Sequence, residues 1–223
     1  MVAGFSLGEI AGLAVSGILR REDAFRLVTV RGRLMQTAAE QVKGKMAAVL
    51  RMDKDELEAL CKEAGVYPVN YNCPGQIVVS GSEEKMDAFT EILGAGKVRF
   101  VNLPVGGAFH TPYMESASLG LEKELSEGGY EFSDTERILY SDLTALPYPA
   151  GKEDKIRTIS KQVSGSVRWE DIIGKMAEEG VDTFIECGPG NTLSGFVKRT
   201  LKDVRIFNVS DRESLKNTLE GLK

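Results

Sequence analysis

The chain has 223 residues, of which 42% are hydrophobic and 27% charged, with a formal net charge of −5. These values suit one globular domain with a sizeable core and room for a smaller inserted lobe. They exclude the strongly basic footprint of a nucleic-acid-binding protein, and no apolar run approaches a membrane span. The three cysteines, an odd number without metal-ligand spacing, predict neither a metal site nor a disulfide framework and favour the cytoplasm.

Apolar periodicity and turn signals predict alternating helices and strands along the chain. The β-α-β-β-α-β order over residues 44–104 predicts a ferredoxin-like lobe. Residues 1–43 and 105–223 are expected to form the α/β core, a mainly parallel sheet with flanking helices resembling the α/β-hydrolases. The predicted helices are 7–17, 21–42, 54–64, 83–94, 112–128, 154–163, 169–179 and 191–201, and the predicted strands are 46–50, 66–72, 76–80, 97–103, 138–141, 183–187 and 204–209.

The stretch Gly4-Phe5-Ser6-Leu7-Gly8 has the G-x-S-x-G spacing of a nucleophile elbow, in which a serine sits on a tight strand-to-helix turn. We expect this turn to close only where the residues two before and two after the serine lack side chains. The N–H of Leu7 would then be free to meet a developing oxyanion. A glycine-rich turn with an incidental serine is the alternative.

Only residues 1–3 precede this turn, too few for the buried strand that an elbow follows. We therefore expect the sheet to be completed by a segment outside this sequence, either missing, cleaved or carried on a separate chain.

His110 is the only histidine, so a histidine base for Ser6 must be this residue. It lies in a loop before a predicted helix, where a ring can be aimed into a cleft. A surface or capping histidine is the alternative. The aspartates between Ser6 and His110 fall in the predicted lobe, which weakens a hydrolase triad and leaves a backbone carbonyl to orient the ring. Those aspartates are Asp53, Asp55 and Asp87.

Arg31 lies on the apolar face of the predicted helix 21–42, four residues from both Leu27 and Met35. A buried guanidinium is costly without a partner, and a carboxylate bound in bidentate fashion would satisfy it. Pairing with a core carboxylate, or reaching out to the surface, are the alternatives.

Two further features have either a structural or a binding interpretation. Gly188-Pro189-Gly190 lies between a strand and a helix and would suit an anion, although a structural turn is favoured. The basic cluster near the C-terminus is either a solvated helix face or a surface for an acidic partner. Its members are Lys198, Arg199, Lys202 and Arg205.

Six segments, in order, resemble the motifs of the malonyl-CoA:acyl-carrier-protein transacylases, and are also similar to polyketide-synthase acyltransferase domains. The resemblance runs from residue 2 to about residue 210. The segments are Val2–Glu9, Arg31–Gln36, Asn70–Gly81, Gly107–Met114, Gln162 with Val167-Arg168-Trp169, and Glu186–Gly190.

The resemblance implies roles for individual residues. Ser6 matches the acylated nucleophile, His110 the general base and Arg31 the ligand of the malonyl carboxylate. Gln162, by pattern an ordinary helix-end glutamine, matches the residue whose main-chain carbonyl orients the histidine. Leu7 matches one donor of the oxyanion hole.

Two departures from the family pattern, at Phe5 and in the N-terminal segment, bear on activity, and one match, at Phe109, bears on acyl choice. Phe5 stands where the family usually has a histidine that helps position the arginine, so the resemblance implies a change in affinity or in acyl choice. Phe109 is the residue type found in malonyl-selective rather than methylmalonyl-selective members. The family's N-terminal segment, with the first strand of the sheet and a Gly-Gln-Gly motif that supplies the second oxyanion donor, is not in this sequence.

The resemblance therefore implies transfer of a malonyl group from coenzyme A to the phosphopantetheine thiol of acyl carrier protein by a ping-pong mechanism, without metal or redox cofactor. The pathway is fatty-acid or polyketide synthesis. Two alternatives stay open: an inactive homologue that binds carrier protein or serves assembly, and a serine thioesterase or esterase.

Overall fold

The computed structural model describes residues 1–135 and 137–223, which form a mixed α/β structure. Its helices are α1 (Leu7–Ser16), α2 (Arg21–Gln41), α3 (Lys54–Ala64), α4 (Glu83–Ala95), α5 (Glu115–Glu127), α6 (Lys152–Lys161), α7 (Trp169–Glu178), α8 (Thr192–Thr200) and α9 (Arg212–Gly221). Its strands are β1 (Val2–Ala3), β2 (Gly44–Leu50), β3 (Tyr67–Cys73), β4 (Gln76–Ser82), β5 (Arg99–Asn102), β6 (Leu139–Tyr140), β7 (Thr183–Cys187) and β8 (Arg205–Val209). Short 3-10 turns span Pro112–Met114 and Gln162–Ser164.

The predicted elements are present, with four differences, the first of which is that the short strand β1 (Val2–Ala3) was not predicted. The helix expected to begin at Pro112 starts as a 3-10 turn and becomes α5 at Glu115. The helix expected to reach Val163 ends at Lys161 and tightens into the second 3-10 turn. Helix α9 was not predicted, although its N-cap Asp211 accepts the Ser214 N–H in a reciprocal capping box.

Strands β2 to β5 form an antiparallel sheet in the order β3-β4-β2-β5. Helices α3 and α4 cover one face of this sheet, where Leu57 and Phe89 are fully buried. The other face is apolar at Ala48 and Val78 and packs against Phe109. Backbone hydrogen bonds between β3 and the segment at Val167 join this sheet to the rest of the molecule.

The parallel strands form two separate pairs, β1 with β6 and β7 with β8. This differs from the single, mainly parallel sheet expected from the sequence, because within the described residues no strand links β1 to β7. A groove of about 470 Å³ lies there, with β1 and α1 on one side and β7 on the other. Two sheet edges with unpaired backbone groups therefore meet this groove.

Helices α1, α2, α5 and α6 pack into a helical layer whose centre includes Leu13, Leu27 and Leu121, all completely buried. Because α1 and α2 belong to this layer, its packing fixes the position of the turn that precedes α1 and of the middle of α2. No helix within residues 1–135 and 137–223 is long and apolar enough to cross a membrane.

Candidate active site

The G-x-S-x-G segment forms a tight turn between β1 and α1. Ser6 has φ 49° and ψ −99°, a left-handed conformation that costs a non-glycine residue roughly 1–3 kcal/mol. The Gly8 N–H donates to the Phe5 carbonyl at 2.9 Å and closes the turn. A Cβ on Gly4 would lie 2.1 Å from the Gly8 carbonyl oxygen, so this close approach requires glycine at position 4.

The expectation that both flanking glycines are needed is wrong at Gly8. A Cβ at Gly8 would meet no atom within 4 Å, because the position faces the groove beside β1 instead of the turn. The steric requirement of the elbow therefore rests on Gly4 alone.

Ser6 and His110 meet across the structure, with Oγ 2.9 Å from Nε2. The histidine lies in the loop before the first 3-10 turn and is only 6% exposed. Its backbone N–H donates to the Val163 carbonyl. The alternative of a surface or capping histidine is therefore wrong. The turn around Ser6 and the loop around His110 together place a hydroxyl against an imidazole.

The His110 ring is oriented by two main-chain carbonyls. Nδ1 lies 3.0 Å from the Gln162 oxygen and 3.1 Å from the Gly165 oxygen, both of which only accept hydrogen bonds. Nδ1 must then carry the proton, and the lone pair of Nε2 faces the Ser6 hydroxyl. None of Asp53, Asp55 and Asp87 touches the ring, as expected from their place in the sequence.

Burial lowers the pKa of His110 to about 4, and the positive charge of Arg31 contributes, while the two carbonyl hydrogen bonds act in the opposite direction. The imidazole is therefore neutral at pH 7. A neutral imidazole is the form that can take a proton from Ser6.

Arg31 is 6% exposed, and its Nη2 donates to Ser6 Oγ at 2.9 Å and to Gln162 Oε1 at 3.1 Å. Both sequence-based alternatives, a salt bridge with a core carboxylate and a solvated head group, are absent from residues 1–135 and 137–223. The Nε of Arg31 has no hydrogen-bond partner among the same residues. A cation thus lies beside the Ser6 hydroxyl, with an Nε donor that is not used within the described residues.

Gln162 contributes more than its pattern indicates. Its carbonyl holds His110, and its side-chain Nε2 donates to the Ser6 carbonyl at 2.7 Å. With its Oε1 on Arg31 as well, this buried residue links His110, Arg31 and the elbow backbone.

Sequence reasoning missed three side chains that support the elbow: Glu9, Asp142 and Tyr148. The Asp142 carboxyl accepts the Ser6 N–H at 2.5 Å, and the Asp142 N–H donates to Glu9 at 2.8 Å. The Tyr148 hydroxyl donates to the other oxygen of Glu9. The available signal was an acidic residue two positions after the apolar strand β6 and another in the first turn of α1.

The remaining predicted site residues lie around this centre. The Leu7 N–H begins α1 and makes no hydrogen bond within the described residues. Phe109 is half-buried between the helical layer and the apolar face of the antiparallel sheet. Phe5 turns into an aromatic cluster, with ring centres 5.5 Å from Trp169 and 6.2 Å from Phe196.

The turn at Gly188-Pro189-Gly190 is structural. The first N–H groups of α8, at Leu193 and Ser194, donate to the Glu186 carboxylate at 3.1 and 2.8 Å, so the chain itself occupies the place an anion would take. In the basic cluster, Arg199 donates to Gln76 and Arg205 to the Gly221 carbonyl, both on the surface.

No group of three or more metal-ligating side chains is found in residues 1–135 and 137–223. Chemically, a strained serine that donates to a buried neutral imidazole and accepts from a guanidinium is an arrangement suited to a serine nucleophile that passes through an acyl-enzyme. The arrangement is typical of the class of serine-dependent acyl-transfer enzymes.

The acyl transferase domain family matches residues 1–217, and the chain belongs to that family. It is 36% identical to the malonyl CoA-acyl carrier protein transacylase of Bacillus subtilis over 99% of this chain and 71% of that protein. The malonyl CoA-acyl carrier protein transacylase structure from Clostridium perfringens has a TM-score of 0.92 at 37% identity, covering 99% of this chain and 70% of that one.

A second similar structure is a malonyl-transacylase in complex with its type II polyketide-synthase acyl-carrier protein. Its TM-score is 0.92 at 31% identity, and the match covers 98% of this chain and 72% of that one.

Proposed function

We propose that the chain transfers a malonyl group from coenzyme A to the phosphopantetheine thiol of an acyl carrier protein through a malonyl ester on Ser6. The pathway is fatty-acid or polyketide synthesis. The observation that carries the proposal is that Ser6 Oγ lies 2.9 Å from both His110 Nε2 and Arg31 Nη2. The relatives named as malonyl CoA-acyl carrier protein transacylases support the same substrates.

In the first half-reaction, His110 takes the proton of Ser6 while Oγ attacks the thioester carbonyl of malonyl-CoA. The tetrahedral intermediate collapses with cleavage of the carbon–sulfur bond, and the proton on His110 passes to the leaving thiol. The malonyl carboxylate is assigned to Arg31, whose guanidinium lies beside Ser6 Oγ and would exchange its present hydrogen bonds for the carboxylate oxygens.

In the second half-reaction, His110 takes the proton of the carrier-protein thiol, which attacks the Ser6 ester. The carbon–oxygen bond breaks, and the proton returns to Ser6. One thioester is exchanged for another, so the overall reaction is nearly balanced in free energy and runs in both directions. This chemistry needs no metal and no electron carrier.

The oxyanion of each tetrahedral intermediate is assigned to the N–H of Leu7, at the positive end of α1. The N–H of Ser6 cannot serve this purpose, because Asp142 already accepts it. A second donor is expected from outside residues 1–223.

We propose that this second oxyanion donor belongs to a further partner, an extended segment supplied from outside residues 1–223. It would enter the groove beside β1 and pair with the open edges of β1 and β7. The groove is lined mainly by apolar side chains such as Val2, Phe184 and Ile206, as a buried strand requires. The open space at Gly8 leaves room for such a strand against α1.

The architecture that we propose is a ferredoxin-like lobe of residues 44–104 inserted in an α/β-hydrolase-like core of residues 1–43 and 105–223. The sheet order β3-β4-β2-β5 and the helices on one face support the lobe. The proposed location is the cytoplasm, consistent with Cys61, Cys73 and Cys187, which are free thiols in the described structure.

Intact mass after incubation with malonyl-CoA tests the function. We expect a malonyl adduct on the wild-type chain and none on Ser6→Ala, and we expect added holo carrier protein to remove the adduct. Absence of any adduct at high protein concentration would favour an inactive binding module. Release of free malonate faster than transfer to the carrier protein would favour a thioesterase.

Replacing Arg31 by alanine tests its part in substrate choice. We expect kcat/KM for malonyl-CoA to fall roughly tenfold to a hundredfold more than that for acetyl-CoA, because only the malonyl group has a carboxylate for the guanidinium. Arg33→Ala, an exposed position two residues along α2, is the matched control and should change neither value. Equal losses for both donors in Arg31→Ala would contradict the carboxylate role.

A further inference from the structure

A buried carboxyl group, that of Asp142, contacts the backbone of the elbow, and a second one, that of Glu9, contacts the Asp142 N–H. Glu9 is 1% exposed and Asp142 is 0% exposed, and the proposed reaction uses neither. Two buried carboxyl groups without a salt bridge among the described residues are costly, so their retention beside the nucleophile calls for an explanation.

Asp142 is the member of this cluster that contacts the backbone of Ser6 directly. Asp142 Oδ2 accepts the Ser6 N–H at 2.5 Å, and Gln162 Nε2 donates to the Ser6 carbonyl at 2.7 Å. Side chains from two distant parts of the sequence thus hold both polar backbone groups of a residue with φ 49°. Such a strained conformation persists only when its surroundings enforce it.

We propose that Asp142 is a positioning residue for the nucleophile, whose carboxyl group holds the Ser6 N–H and so keeps Ser6 Oγ within hydrogen-bond distance of His110. The inference rests on the proposed function and extends it to a residue outside the reacting groups. Asp142 does not touch the substrate and acts through the backbone of the elbow.

Asp142 is itself fixed in place. Its N–H donates to Glu9 at 2.8 Å, its carbonyl accepts the Arg168 N–H at 2.9 Å, and Tyr148 holds the second oxygen of Glu9. These contacts fix the backbone of Asp142, and from that position its side chain directs Oδ2 at the Ser6 N–H.

The charged and titratable groups that face Asp142 are Glu9 from α1, Arg31 from α2 and Tyr148 from the loop after β6. Burial and the neighbouring Glu9 raise the pKa of Asp142 well above its ordinary value, while the hydrogen bond from the Ser6 N–H and the charge of Arg31 act in the opposite direction. Asparagine presents an acceptor oxygen without a charge, so Asp142→Asn separates the role of the acceptor from that of the charge.

The test compares Asp142→Ala with Asp142→Asn in single-turnover acylation by malonyl-CoA. We expect Asp142→Ala to acylate about a hundredfold more slowly at saturating malonyl-CoA, with the half-saturating concentration unchanged, because the hydroxyl is misplaced while the carboxylate site is intact. Asp142→Asn should recover to within about fivefold of wild type. Asp87→Ala, an exposed aspartate on α4, should match wild type.

Hydrogen exchange of the Ser6 amide gives a readout that does not depend on activity. The amide should be protected in wild type and Asp142→Asn, and exchange faster in Asp142→Ala. A wild-type acylation rate in a folded Asp142→Ala, or an equal loss in a folded Asp142→Asn, would overturn the proposal.

If Asp142→Ala does not fold, the acylation rate of Asp142→Asn is the test, because that variant keeps the acceptor oxygen. A rate within about fivefold of wild type supports the proposal, and a larger loss in the folded variant contradicts it. If the wild-type chain forms no adduct, the proposed function fails, and exchange at the Ser6 amide then decides the role of Asp142 alone.

Discussion

His110→Ala is expected to slow acylation by malonyl-CoA about a hundredfold to ten-thousandfold. The His110 ring lies 2.9 Å from Ser6 Oγ and can accept its proton, whereas the Arg31 guanidinium beside the same oxygen can only donate. Single-turnover acylation followed by acid quench and intact mass measures the effect. Millimolar imidazole should restore part of the rate in His110→Ala, and failure of both the loss and the rescue would remove His110 from the reaction.

The pH dependence of the same rate tests the state of the imidazole. Because the pKa of His110 is lowered to about 4, the ring is neutral above that pH, and the acylation rate should be level from about pH 5 to 8 and fall only below. Burial is the main cause and Arg31 the second, so Arg31→Ala should move the fall to higher pH. A wild-type rate that titrates near 6.5, the ordinary histidine value, would contradict the buried neutral base.

Gly4→Ala is expected to have the second large effect, on both stability and acylation. Its Cβ would lie 2.1 Å from a backbone oxygen that cannot move without opening the turn, so we expect a loss of at least about 1–3 kcal/mol in the free energy of unfolding. Displacing Ser6 Oγ by about 1 Å would also slow acylation about a hundredfold. Urea unfolding and single-turnover acylation measure the two effects.

Gly8→Ala is the matched control for Gly4→Ala. It adds the same methyl group to the same motif, at a position where nothing lies within 4 Å. We expect the unfolding free energy to be unchanged or raised by up to about 1 kcal/mol, because alanine favours the helix. Equal destabilisation by the two substitutions would show that the turn is not limited by contact at Gly4.

The sequence predicted the helices and strands well because their signals are local. Asp53 caps α3 as its position before Lys54 indicates, and Gly17 ends α1 in the left-handed conformation. The pairing of β1 with β6 could not be predicted in the same way, because two-residue strands have almost no pattern and the partners lie far apart in the chain.

The site residues divide in the same way, into those that a local sequence pattern indicates and those that depend on contacts between distant segments. Ser6 and Arg31 stand out from motif spacing and from a charge on an apolar helix face, and His110 from being the sole histidine. The structure brings the three together, while their catalytic roles stay predictions. The contacts of Asp142 and of the Gln162 side chain depend on how loops meet in space, which no local pattern encodes.

The central claim is that the acyl group resides on the Ser6 oxygen, and peptide mapping after acid quench tests it most directly. The chain also offers an exposed thiol, Cys187, which can exchange with a thioester without any active site. We predict that the malonyl group is found on the peptide containing Ser6 and persists in Cys187→Ser. A label on Cys187 that persists in Ser6→Ala would contradict the account.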